Sequence, residues 1–231
     1  METATIKRIL SLDPATTTGW CVLEFATDSV GLCIMDYGFF VVDISSKYEG
    51  DHCLSMKKEV KELISKWKID VICLENYYFS RNAKQGANKN LFLRAAIIML
   101  CREFECKVHY EFISVFDWKK FICGRSTPPP EVKKKYKTTA NKMMTVISLW
   151  DKFKLQFPNR FPRSAGCCSQ TTKPLVFKTD ISDSIAIGVY FCYKQYFGLF
   201  NVDIPIMDCT NYYHKYNDNN IPTLGGLDYS I

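Results

Sequence analysis

Four carboxylates stand where secondary-structure elements end or begin. Asp13 closes ILSLD, Glu75 closes DVICLE, and Asp180 and Asp183 open TDISDSIAIGVYF. Singly, each has a plainer reading: an Asp before Pro forms turns, and an Asp at a helix start is a cap. Together they suggest chemistry. Residues three apart on a helix share a face, with about 5–6 Å between Cβ atoms, so Asp180 and Asp183 make a pair. Glu75 ends an apolar strand, where a charge needs a partner. Carboxylates packed together raise one another's pKa unless a cation neutralises them. Mg²⁺ fits such a cluster, because it takes oxygen ligands from carboxylates, water and phosphate. Two such ions about 3.5–4 Å apart activate a water on one side of a phosphodiester and stabilise the leaving oxygen on the other. The expected cofactor is therefore Mg²⁺, as two ions, with Mn²⁺ as a substitute.

The elements that must position these acids follow from periodicity. Residues 9–13 read as a strand, 14–19 as a turn, and 20–25 and 31–44 as two further strands. Val60, Leu63, Ile64 and Trp67 have helical spacing and place a helix at about 52–67. Residues 70–75 form a nearly continuous apolar run, the pattern of a buried parallel strand. A helix over about 87–104, a strand over 106–115 and helices at about 115–122 and 138–152 come next. The last helix spans 179–197, with Ile185, Val189, Cys192 and Tyr196 on one stripe and Thr179 or Asp180 as its N-cap.

Residues 124–136 hold three consecutive prolines and then Lys133, Lys134 and Lys135, which reads as an exposed basic loop. Residues 154–178 read as a long loop, and the Gly/Asn-rich tail 208–231 as loosely ordered. The expected organisation is one domain over 1–207 with insertion loops at about 125–136 and 154–178.

Three segments carry a family resemblance. ILSLDPATTTGWCVLE resembles the first strand and hairpin of RuvC-type Holliday junction resolvases, VICLENYYF their second acidic strand, and KTDISDSIAIGVYF their closing helix. The match runs over roughly residues 7–200 in the family's order, and it extends to the resolvases of poxviruses and other large DNA viruses. It implies an α/β, RNase H-like fold with a mixed five-stranded sheet and helices on both faces. It also implies a Mg²⁺-dependent endonuclease that acts as a homodimer and resolves four-way DNA junctions by paired symmetric nicks, in recombination or in processing viral concatemers. Carried over by motif, Asp13, Glu75, Asp180 and Asp183 are the metal ligands. Lys119, five residues before Gly124, matches a catalytic lysine, and Lys137 is placed at the second. Tyr78 falls where the family has an aromatic that wedges into the junction, with Phe79 beside it; burial of these rings in the core is the alternative.

Charge distribution agrees with a DNA partner. Arg125, Lys133, Lys134, Lys135, Lys137 and Lys142 form the densest basic patch, and Arg81, Lys84 and Lys89 follow Glu75. Such residues bind phosphates without reading sequence. The helix at about 87–104 is apolar on most of its circumference, which suits either a two-fold contact or core burial.

The remaining totals exclude other classes. The 11 cysteines include no CxxC pair and several sit in apolar runs, so neither a disulfide framework nor a zinc ribbon fits; a reducing, cytoplasmic setting is expected. The densest apolar run, 95–101, is far below the ~18 residues that span a bilayer, and the first residues lack a signal-peptide pattern. LDPATTTGW also resembles the phosphate loop of actin-like ATPases, but those need two such halves and 231 residues are too few. Another RNase H-like nuclease, or a non-catalytic nucleic-acid-binding module on the same fold, are the alternatives.

Overall fold

At the centre of the sheet lies β1 (Ile6–Asp13), whose Ile9, Leu10 and Leu12 are all fully buried, so both of its faces are covered. β2 (Thr17–Ala26) returns antiparallel to it through a turn in which the Thr18 hydroxyl donates to the Ala15 carbonyl at 2.7 Å. β3 (Leu32–Val41) pairs antiparallel with β2. α1 (Glu49–Trp67) then leads to β4 (Val71–Glu75), parallel to β1 on its other side. α2 (Gly86–Glu103) leads to β5 (His109–Ile113), parallel to β4. The order β5-β4-β1-β2-β3 is the expected mixed five-stranded sheet, and a three-residue sixth strand, β6 (Ile206–Asp208), extends it beside β3. The computed structural model describes residues 6–26, 31–76, 86–104, 108–153, 155, 179–198 and 206–208.

Helices cover both faces. α1 and α2 pack together on one side, and α6 (Thr179–Cys192), backed by α3 (Val115–Cys123) and α5 (Ala140–Phe153), lies on the other. α1 buries Met56, Val60, Ile64 and Trp67 along one stripe, and Glu49 and Asp51 occupy its first turn, where the helix dipole favours anions. It begins at Glu49, three residues before the expected start at 52. Every residue of α6 from Ile181 on is buried, so this helix is core on all sides rather than amphipathic. Beyond Cys192 it widens into a π turn over Tyr193–Phe197, which carries Tyr196 off the expected buried stripe and leaves it 41% exposed.

The expected loop at 124–136 is partly wrong. Residues Pro130–Tyr136 form a helix, α4, followed by a 3-10 turn over Lys137–Thr139. Pro130 sits at the helix start, where a preset φ helps and the missing N–H is not needed. Lys133, Lys134 and Lys135 fill the last turn and suit its negative dipole end. Those lysines are exposed, as expected. Residues 156–178 and 209–231, which include Cys167 and Cys168, lie outside the described residues. No helix among the described residues is long and apolar enough to cross a membrane.

Two contacts fix the sheet against its helices. At the start of β1, the buried Arg8 donates its Nε to Glu24 Oε2 at 2.7 Å and its Nη1 to the Trp67 carbonyl at 3.2 Å, while Asp70 Oδ2 accepts from the Arg8 backbone N at 2.8 Å. At the centre, Gly188 brings α6 onto the sheet so closely that a Cβ there would lie 2.2 Å from Leu23 Cδ1 and 2.6 Å from Ser11 Oγ. Gly188→Ala is predicted to cost about 1–3 kcal/mol by overpacking. Gly50→Ala, with nothing within 4 Å of the added Cβ, should be neutral or slightly stabilising. Urea unfolding of both variants checks this, and equal stability of the two contradicts the close approach.

Candidate active site

The sheet delivers two of the four acids side by side. β1 and β4 are paired through Leu12 and Leu74, so Asp13 and Glu75, one residue further on each strand, end adjoining parallel strands and point to the same face. That face is the α6 face, since Ser11, two residues before Asp13, lies under Gly188. Opposite Asp13 on β2 is Gly19, where a Cβ would lie 2.0 Å from the Asp180 carbonyl oxygen and 2.9 Å from the Ile181 N. Only a residue without a side chain lets the first turn of α6 cross here. The pairing of Gly19 with Asp13 therefore carries Asp180 and Asp183 to the strand ends.

The electrostatics record the resulting crowding. Burial pushes the Asp13 carboxyl up to about 8, and the charges of Glu75 and Asp180 add to the rise; Lys142 and Arg94 oppose it. Asp183 is 7% exposed and is pushed up to about 7, first by burial and then by Asp13, against the pull of Lys119, Thr145 and Lys142. Glu75 is raised by burial and by Asp183, while a hydrogen bond from Trp118 and the charges of Lys119 and Arg94 lower it. The carboxylates therefore sense one another through a poorly solvated space.

Lys142, expected only as a DNA contact, reaches into this cluster. Its Nζ forms an ion pair with Asp180 Oδ1, and although burial opposes its charge, the hydrogen bond and charge of Asp180, with Asp183 and Asp13, raise its pKa. Lys119 is half-buried on α3 with its ammonium 5.2 Å from the Trp118 ring centroid. Lys137 is exposed in the 3-10 turn, with a left-handed φ of 49°, and is not among the groups that shift these carboxyls. Lys142, rather than Lys137, thus joins Lys119 at the acids. Lys89 lies in the first turn of α2, Arg125 is exposed after α3, and Lys133, Lys134 and Lys135 project from α4. Tyr78, Phe79, Arg81 and Lys84 lie outside the described residues.

Two supporting residues escaped the sequence reading. Arg94 on α2 is 4% exposed and donates its Nε to the Glu75 carbonyl at 2.8 Å and its Nη1 to the carbonyls of Pro14 and Asn90, each at 3.1 Å. One guanidinium thus ties together the backbone just after Asp13, the backbone at Glu75 and the first turns of α2. A charge inside FLRAAII was the available signal, since a buried arginine must be paired. Trp118 donates its Nε1 to Glu75 Oε1 at 3.2 Å. Nothing in the local pattern separates it from an ordinary core tryptophan.

Among the described residues, no group of three or more His, Cys, Asp or Glu side chains is arranged to hold a metal ion as it stands. The donor set nonetheless fits a hard cation. Asp183 Oδ1 and the neighbouring Thr145 hydroxyl are both buried and unpaired among the described residues, and the other neighbours of Asp183 include carboxylates whose mutual repulsion a cation would relieve. Asp13, Glu75 and Asp183 are the side chains that could supply oxygen ligands to it once they close together, and Asp180 could do so once released by Lys142.

The sign of the pKa shifts yields a prediction. Folded Asp13 and Asp183 are pushed up to about 8 and about 7, whereas an ordinary aspartate titrates near 3.8. Over that window the folded state binds more protons, so the metal-free protein loses stability as pH rises from about 4 to 8. Melting curves in EDTA should show Tm falling by several degrees between about pH 5 and 8.5, and Asp183→Asn should flatten that slope and raise Tm at the alkaline end. A pH-independent Tm contradicts the clustering.

No family model and no curated protein sequence matches the chain. Solved structures do match. Thermus thermophilus RuvC aligns with a TM-score of 0.54 at 13% identity, over 83% of this chain and 96% of that one. T. thermophilus RuvC in complex with Holliday junction substrate aligns with a TM-score of 0.56 at 14% identity, over 84% and 97%. The yeast mitochondrial Holliday junction resolvase aligns at 0.47 and 13% identity, over 80% and 77%. The likeness to RuvC establishes that this chain has the RNase H-like fold of that resolvase.

Proposed function

We propose that this chain is a divalent-metal-dependent endonuclease that resolves four-way DNA junctions as a homodimer. The observation that carries the reading is the convergence of Asp13, Glu75, Asp180 and Asp183, whose buried carboxyls raise one another's pKa. Its support is the fold shared with RuvC, which has been solved with a Holliday junction substrate.

In this reading Asp13, Glu75, Asp180 and Asp183 hold Mg²⁺, as two ions, or Mn²⁺ in its place. When bound, such ions activate a water and stabilise the leaving oxygen of a phosphodiester. Asp13 and Asp183 give up their protons on binding, which restores their charge where the cation needs it. Lys119 and Lys142 stand at the same edge, and their ammonium groups supply positive charge beside a scissile phosphate. Lys89, Arg125, Lys133, Lys134 and Lys135 grip phosphates of the arms without reading sequence. Tyr78 is the wedge at the branch, flanked by Phe79, Arg81 and Lys84. Stacking a ring on an unpaired base is worth about 1–3 kcal/mol, which offsets part of the cost of opening a pair.

Two-fold symmetry of the substrate favours a two-fold enzyme. The outward face of α2 exposes Leu91, Phe92 and Met99, the last at 63%, and Leu54 of the neighbouring α1 is also 63% exposed. The Cys53 thiol donates to the Phe92 carbonyl at 3.6 Å, so the two helices that carry these exposed apolar residues are in contact. Exposed apolar side chains on adjoining helices are what an interface would bury, in this reading with a second copy.

Purified protein with Mg²⁺ should nick a synthetic mobile four-way junction in paired symmetric positions and spare linear duplex. Equal cutting of linear duplex sinks the resolvase reading. Glu75→Ala and Asp183→Ala should each lower cleavage by on the order of a hundredfold or more while leaving junction binding intact, because even indirect supports of a metal cost 10- to 100-fold. Cleavage that survives in both variants contradicts the metal assignment. Phe92→Asp with Met99→Asp should sediment as a monomer and lose the pairing of nicks; an unchanged dimer assigns the interface elsewhere.

A further inference from the structure

We infer that Trp118 is a positioning residue of the proposed metal site, holding Glu75 through its indole N–H and Lys119 on its ring face. The inference rests on the metal-site reading above. Trp118 is completely buried in α3, its Nε1 donates to Glu75 Oε1 at 3.2 Å, and the Lys119 ammonium lies 5.2 Å from its ring centroid. One rigid side chain therefore touches two of the groups assigned to the chemistry.

The route by which the indole reaches Glu75 is short and stiff. β5 pairs with β4 in a register that sets Ile113 beside Glu75, and the Asn76 N–H donates to the Ile113 carbonyl at 2.8 Å. α3 begins directly after β5, with Ser114 as an N-cap whose side chain accepts from the Asp117 N–H at 3.4 Å. The strand that fixes the position of Glu75 thus also fixes the helix start that presents Trp118 to it.

The choice of an indole has a chemical consequence. Its N–H is a donor with no acceptor and no charge, so it orients a carboxylate without neutralising it and without competing for a cation. A histidine in its place could itself bind metal, and a lysine would pair with Glu75 as Lys142 pairs with Asp180. With Oε1 committed to the indole, the carboxylate turns only about that contact and its other oxygen is left for the ion. The ring face restrains Lys119 by cation–π attraction, which narrows the space its ammonium samples beside Glu75 and Asp183.

The full chain labelled with 5-fluorotryptophan has four resonances, from Trp20, Trp67, Trp118 and Trp150, and loss of a signal in Trp118→Phe assigns the third. Titration with Mg²⁺ alone should move the Trp118 resonance and leave that of Trp67, whose carbonyl is bonded to Arg8 at the other end of β1. In parallel, Mn²⁺ binding is read by electron paramagnetic resonance. Trp118→Phe, which keeps a ring and loses the N–H, should raise half-saturating Mn²⁺ about tenfold, as expected for a residue that orients a ligand. Trp118→Leu should raise it as much and in addition cut junction cleavage at saturating metal below that of the Phe variant, because Lys119 has lost its ring. A Trp118 resonance that ignores Mg²⁺ while the wild type binds Mn²⁺ overturns the inference, and so does wild-type half-saturation in Trp118→Phe, whatever its melting temperature. A wild type that binds no Mn²⁺ overturns the metal reading itself, and this inference with it.

Discussion

The close approach of α6 to the ends of β1 and β2 is the constraint on which the rest depends. Gly188 lets the helix sink onto Ser11 and Leu23, and Gly19 lets its first turn pass the strand opposite Asp13. Without both, Asp180 and Asp183 would be held away from Asp13 by at least the thickness of a side chain. The approach forces like charges into a recess that water solvates poorly, and the raised pKa values of Asp13, Glu75 and Asp183 are its direct consequence.

The two ends of the central strand handle charge in opposite ways. At its start, Glu24 is fully buried but met by Arg8, whose guanidinium is also satisfied by the Trp67 carbonyl, so that end is closed. At its far end the acids are restrained from around them. Arg94 holds the backbones that carry Asp13 and Glu75, Trp118 holds one oxygen of Glu75, and Lys142 holds Asp180. Asp183 Oδ1 and the Thr145 hydroxyl beside it are left without a hydrogen bond among the described residues. An arrangement that fixes carboxylates in place while only partly compensating their charge is unfavourable for folding, and it is what a cation site requires.

The sheet was readable because its signals are local. The nearly continuous apolar run DVICLE announces a strand covered on both faces, and the turn signals before it separate the strands β1 to β3. The acids were readable because each punctuates an element. The helix at Pro130–Tyr136 was missed because three prolines dominate the local reading, although the last of them is a favourable helix start. Spacing along the chain places Lys142 with the DNA-contacting lysines and Lys137 at the site, because which turn of a helix faces a distant strand depends on tertiary packing. Arg94 and Trp118 act through contacts across 19 and 43 residues of sequence, and only the folded chain brings those partners together.

The central claim is that the recess between the ends of β1 and β4 and the start of α6 is a divalent-cation site. Diffraction from crystals grown with Mn²⁺, measured at the manganese edge, tests it most directly. An anomalous peak within ligand distance of the Asp13 and Asp183 carboxylates, lost in Asp183→Asn, is the predicted result. Crystals of folded protein with no peak there at saturating Mn²⁺, or with manganese bound only elsewhere, would contradict it.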